Sequence, residues 1–172
     1  MKSLVKLLIA TIGLAAFSIS GFAHAKEFQP PYVDTLIPPY LAVQAALAGD
    51  DLDTARTAAQ ALLAATLQGP SFTAMTDPVE LIASAPDMAA ARKGFLMVST
   101  EMISLVDHVG TSGKQSLFVA HCPMAFGGKG GDWLQGDRKV YNPYYGSMML
   151  RCGSIKNQIS GHAKTAIQDL DR

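Results

Sequence analysis

From Val33 to Leu47, residues Val33, Leu36, Ile37, Tyr40, Leu41, Gln44 and Leu47 recur three and four apart. A period near 3.6 predicts a helix with one buried stripe, closing near Gly49. Pro38-Pro39 interrupts the stripe, and proline removes an amide donor, so a kink or a restart is expected there. After the acidic pair Asp50-Asp51, which suits a helix start, Leu52, Ala55, Ala59, Leu62 and Leu63 mark a second helix that Gly69-Pro70 stops. Asp77-Pro78-Val79-Glu80 reads as a helix start. Pro86-Asp87 resets the chain into a longer helix, whose seam is Ala91, Phe95, Val98, Met102, Leu105 and Val109 and which Gly110 and Gly113 end.

The pattern then changes. Leu117-Phe118-Val119-Ala120 is a short extended run leading into His121-Cys122-Pro123-Met124, then the glycine-rich turn Gly127–Gly131 and Asp132-Trp133-Leu134-Gln135. Asn142 as N-cap, Pro143 at the first helical position and Gly153 past the end predict a short helix over Pro143–Cys152. Ile155, Ile159, Ala163, Ile167 and Leu170 predict a last helix from Ile155 to Leu170. The expected fold is all-α: an up-and-down bundle of about four helices, with a glycine-rich, irregular Cys- and Met-bearing insertion before the last one.

Residues 1–25 alter the picture of where this bundle works. Lys2 and Lys6 precede an uncharged apolar run from Leu7 to Phe17, which closes on Ala23-His24-Ala25. That is the layout of a secretory signal peptide cleaved after Ala25. The run is short of the roughly 20 apolar residues a membrane span needs. Residues 26–172 are then a single exported domain of ordinary length, with no later transmembrane segment. All 14 acidic residues and all but two of the 14 basic ones fall in it, for a net charge of −2. No basic stripe offers itself to nucleic acid.

Two cysteines, Cys122 and Cys152, are the only ones in the chain. On a helix, Met149 and Met148 share a face with Cys152; in an extended segment, Cys122 and Met124 point the same way while His121 points oppositely. A loop folding one segment onto the other would gather two thiols and one or two thioethers within residues 116–153. Such donors select copper(I) and its chemical look-alike silver. Zinc's Cys-x-x-Cys spacing is absent, as is a carboxylate cluster for calcium or magnesium. The same cysteines, in an oxidising compartment, equally fit one disulfide, structural or redox-active. His108 reads as a solvated residue at the end of the long helix, and His162 as a surface or boundary residue. Trp133, Tyr141, Tyr144 and Tyr145 read as the apolar wall of the loop region. Neither a phosphate-binding loop nor a Gly-x-Ser-x-Gly or His-Glu-x-x-His motif occurs, and His121 is badly placed to activate adjacent Cys122, so no enzyme is expected.

His121-Cys122-Pro123-Met124-Ala125-Phe126, Gly131-Asp132-Trp133-Leu134-Gln135, Asn142-Pro143-Tyr144-Tyr145-Gly146 and Met149-Leu150-Arg151-Cys152-Gly153, with Tyr40-Leu41 through Ala48-Gly49-Asp50-Asp51, resemble the exported bacterial family called domain of unknown function 3347. Its members stand alone or are appended to periplasmic adaptors of copper/silver-type efflux systems. The resemblance implies a helical fold, a periplasmic location and copper or silver handling, and it favours metal over a structural disulfide. Its Cys-Pro-Met element falls on Cys122, Pro123 and Met124, and its Met-Leu-x-Cys-Gly element on Met149, Leu150, Cys152 and Gly153. The expected copper(I) ligands are therefore Cys122, Met124, Met149 and Cys152, with His121 and Met148 as extras. A disulfide-stapled interaction module, bridged Cys122 to Cys152, is the alternative. The chain has no room for the adaptor's barrel and hairpin domains, so a heavy-metal efflux system enters only as an associated partner.

Overall fold

A computed structural model describes residues 28–159. The expected signal peptide, His162 and the expected helix beyond Ile159 lie outside them. Four helices come first: α1 (Pro30–Ala48), α2 (Leu52–Thr66), α3 (Thr73–Ala83) and α4 (Met88–Val109). Then follow β1 (Leu117–Cys122), the single turn α5 (Ala125–Gly128), β2 (Gly131–Gln135), a 3-10 turn at Gly146–Met149 and β3 (Ser154–Ile159).

The helical stripes are where the periodicity put them. Val33, Leu36, Tyr40 and Leu47 of α1, Ala55, Ala59 and Leu62 of α2, and Ala91, Phe95, Val98 and Met102 of α4 are fully buried. Asp51 caps α2 by accepting from the Thr54 amide at 2.9 Å, and Asp87 caps α4 by accepting from Ala90 at 2.7 Å. Each satisfies an amide that the first helical turn leaves free. Two proline expectations fail. Pro38-Pro39 does not restart α1, which continues through both prolines, and Pro78 sits inside α3 rather than opening it. In α1 the buried stripe runs on both sides of the prolines, and packing offsets the lost backbone bonds.

The all-α expectation is overturned by a three-stranded antiparallel sheet of order β2-β1-β3. Ser154–Ile159, expected to open the last helix, is the edge strand β3, pairing Leu117 with Ile159 and His121 with Ser154 around a bulge at Val119/Ala120. The expected helix over Pro143–Cys152 is only turns and the short 3-10 segment. Isoleucines four apart satisfy a period of two as well as one of 3.6, and the unpaired side of β1 needs a partner for its backbone groups. The fold is therefore α+β. Among the described residues, no helix is long and apolar enough to cross a membrane.

Two clasps join the sheet region to the helices. The Tyr40 hydroxyl, buried in α1, hydrogen-bonds Ser99 of α4 at 2.8 Å and accepts from the Leu134 amide of β2 at 2.9 Å. An aromatic chain extends this link: Tyr40 stacks on Phe95, Phe95 touches Tyr144, and Tyr144 meets Trp133 edge-on. In the second clasp the Arg92 guanidinium donates to Leu47 O, Pro143 O and Asp50, and Asp50 accepts from the Ser147 amide.

Gly146 closes that second clasp with φ +59, and a Cβ there would lie 2.0 Å from Asp50 Oδ1. Gly146→Ala is expected to cost about 2–3 kcal/mol, from left-handed backbone strain plus displacement of the Asp50 carboxylate; denaturant unfolding measures it. Ser147 hydrogen bonds, and then Arg92, hold the Asp50 carboxyl below its ordinary value, and Thr54 does the same for Asp51. A lowered carboxyl stabilises the fold above its unfolded pKa and loses that contribution as pH falls through the folded value. Unfolding midpoints should therefore drop from about pH 4 downward, and drop less steeply in Asp50→Asn.

Candidate functional site

Cys122 ends the central strand and Cys152 sits two residues before β3, so the antiparallel pairing that sets His121 beside Ser154 brings the two cysteines together. Their Sγ atoms are 3.3 Å apart, and both thiols are free. Cys122 is fully buried, whereas Cys152 is half-buried. The Cys152 thiol is pushed above its ordinary value, first by its hydrogen bond with Cys122, then by desolvation and by the charge Cys122 can carry.

The local backbone is built to bring Cys152 in. Gly153 has φ +129, and a Cβ there would stand 2.6 Å from His121 O and 3.3 Å from the Trp133 ring. Only glycine lets the chain pass this close to β1. Asn142, fully buried, clips the turn from the other side. Its Nδ2 donates to Cys152 O at 2.8 Å, and its Oδ1 accepts from the Tyr144 and Tyr145 amides at 2.8 and 3.2 Å. The Cys152 amide donates to Met149 O at 2.9 Å. Asn142 thus performs the capping chemistry its sequence position promised, on a turn instead of a helix.

Of the six expected ligands, the two thiols meet directly. Met124 and Met148 are exposed, at 53% and 78%. Met149 is half-buried in the 3-10 turn that leads to Cys152. His121 lies on the opposite side of β1 from Cys122, as strand alternation requires. There its Nδ1 pairs with Asp132 Oδ1 at 2.6 Å, while Lys156 reaches the other carboxylate oxygen at 3.1 Å. That three-strand cluster carries no sequence signal, because the spacing of Ile155 and Ile159 places Lys156 on a helix. His108 is exposed in the last turn of α4, with Nδ1 2.8 Å from Ser104 O. Of the aromatic wall, Trp133 and Tyr144 are buried and Tyr141 and Tyr145 half-buried; Arg151 lies 4.1 Å over the Tyr141 ring. Among the described residues, no three His, Cys, Asp or Glu side chains converge as a metal-ligand group.

The pair can move in two chemical directions. A metal about 2.3 Å from each sulfur would subtend only about 90° at the present 3.3 Å separation. A trigonal site needs the sulfurs about 4.0 Å apart, and a linear one about 4.6 Å, at that bond length. A disulfide needs them at about 2.05 Å. Opening or closing by about 1 Å thus separates the two outcomes.

The family model described as "Protein of unknown function (DUF3347)" matches residues 36–114, from the second turn of α1 to just past α4. The match ends before Cys122, so it covers the helical half and not the thiol pair. No curated protein and no solved structure matches the chain. Over its helical half, residues 36–114, the chain is similar to the DUF3347 family.

Proposed function

We propose that this chain is a binding protein, not an enzyme, and that it holds a soft monovalent cation, copper(I) or silver, between Cys122 and Cys152. It would act in the periplasm as a chaperone, buffer or resistance accessory, alongside a heavy-metal efflux system. The observation that carries this reading is the 3.3 Å approach of two free thiols, one buried and one half-buried. Thiolates are soft donors, matched to copper(I) rather than to hard cations. Copper(I) and silver(I) accept two or three ligands, so a pair plus one thioether suffices, whereas structural zinc takes four. Met149, three residues before Cys152, and Met124, two residues after Cys122, are the candidate third donors, with Met148 as a further one. The apolar leader and the resemblance over residues 121–153 support the periplasmic setting.

A second reading is a disulfide-stapled module with no metal, favoured by the same short approach. A bridge across a 30-residue separation would stabilise the fold by about 3–4 kcal/mol in the chain-entropy account. Copper(I) titration of the reduced protein against a chelating competitor distinguishes them. One equivalent should bind, with affinity about 100-fold weaker in Cys122→Ser and in Cys152→Ser and about 10-fold weaker in Met149→Leu. Equal affinity in all four proteins would favour the staple.

A further inference from the structure

The two sulfurs of the pair are inequivalent. Cys122 has no exposed surface and sits at the end of the central strand, with Gly131 opposite it in β2. Cys152 is half-buried, on a turn whose backbone is fixed at Met149 O and by Asn142. A reagent too large to enter the core therefore meets Cys152 first. Once a group is attached there, Cys122 Sγ stands 3.3 Å from the atom that carries it, within the near-attack range of about 3–3.5 Å.

We infer that Cys152 is the entry sulfur of a thiol–disulfide exchange site, and that Cys122 is its resolving partner. The co-reactant is a small or protein-borne disulfide. Cys152 gives its proton to a base in solution. Its thiolate attacks one sulfur of the external disulfide, forming a mixed disulfide and expelling one thiolate. The Cys122 proton passes to that leaving thiolate. The Cys122 thiolate then attacks Cys152 Sγ, closes the Cys122–Cys152 bond and expels the second thiolate. Two electrons pass from the two cysteines to the external disulfide, and every proton and sulfur is accounted for. The inference deepens the proposed cation site, because the closed bond removes both thiolates from it, but the exchange itself needs no metal.

The test uses the reduced, metal-free full chain incubated with oxidised glutathione, quenched with an alkylating agent and read by peptide mass spectrometry. The wild-type chain is expected to give the internal disulfide with no lasting adduct. Cys122→Ser should accumulate glutathione on Cys152. Cys152→Ser should leave Cys122 unmodified in buffer, yet alkylated once the chain is unfolded in denaturant. In parallel, brief maleimide labelling of the native wild-type chain should mark Cys152 at least about 10-fold faster than Cys122. That measurement stands even where a serine variant fails to fold. Glutathione on Cys122 in Cys152→Ser as fast as on Cys152 in Cys122→Ser, or equal maleimide rates, would overturn the assignment. Copper titration is a separate experiment: a chain that exchanges in this order but binds no copper(I) keeps this inference and loses the cation reading.

Discussion

Trp133→Ala should lower the free energy of unfolding by about 3–5 kcal/mol, the range for a large aromatic removed from a close-packed interior. Trp133 is the only tryptophan and is fully buried in β2. Its ring meets Tyr144 edge-on at a centroid distance of 5.6 Å, and its Nε1 donates to Gln135 Oε1 at 3.0 Å. Gln135 Oε1 still accepts from the Tyr141 amide after the substitution, so the loss is one of volume and ring contact more than of hydrogen bonding. Tyr144 links Trp133 to Phe95 of α4, so the cavity opens where the sheet meets the helices. Trp133→Phe should cost only about 1–2 kcal/mol. Since Ala and Phe variants both lose the fluorophore, circular dichroism in denaturant is the appropriate readout. A cost below about 1 kcal/mol for alanine would mean that the sheet does not pack on α4 as described.

The second large effect falls on Asn142. Asn142→Ala leaves the Cys152 carbonyl and the Tyr144 and Tyr145 amides without the partner that joins them. Each buried group left unpaired costs about 1–3 kcal/mol, and partial relaxation of the turn brings the expected total to about 3–4 kcal/mol. Asn142→Asp keeps the acceptor for both amides but sets a carboxylate oxygen against Cys152 O. It should recover the two-amide part of the stability and not the Cys152 part. In copper(I) titration both variants should bind more weakly than the parent, because Cys152 is no longer held at Cys122. An alanine variant of native stability would remove Asn142 from the account of the turn.

These two residues also show what could be read from the sequence. Asn142 was legible as a cap, since Asn-Pro followed by a glycine eleven residues after Asn142 is a local signal. What it caps was not legible, because the length of a turn depends on what the chain does next. The helical half was legible because a buried stripe sustained over three or more turns fits only one period. The prolines mislead for the complementary reason: their penalty is local, and the tertiary packing that outweighs it is not. Ile155 and Ile159 misled because their spacing fits both periods. The Asp132–His121–Lys156 cluster has no signature in the spacing, since its members meet only through strand register. The meeting of Cys122 and Cys152 was proposed on residue chemistry, but the reason they meet is the β1–β3 ladder, which the spacing of sulfur residues does not contain. The thioethers follow from a helical picture of Met148, Met149 and Cys152; in a 3-10 turn the four-residue spacing of Met148 and Cys152 no longer shares a face, whereas a three-residue spacing still does.

The central claim is that the Cys122–Cys152 pair takes a soft cation as its ligand. X-ray absorption at the copper edge, on the reduced chain loaded with one equivalent of copper(I), tests it most directly. The account predicts a first shell of two or three sulfurs at about 2.3 Å and no nitrogen or oxygen, with the sulfur count falling in Cys122→Ser. A first shell of nitrogen or oxygen donors, or a sulfur shell unchanged in that variant, would contradict it.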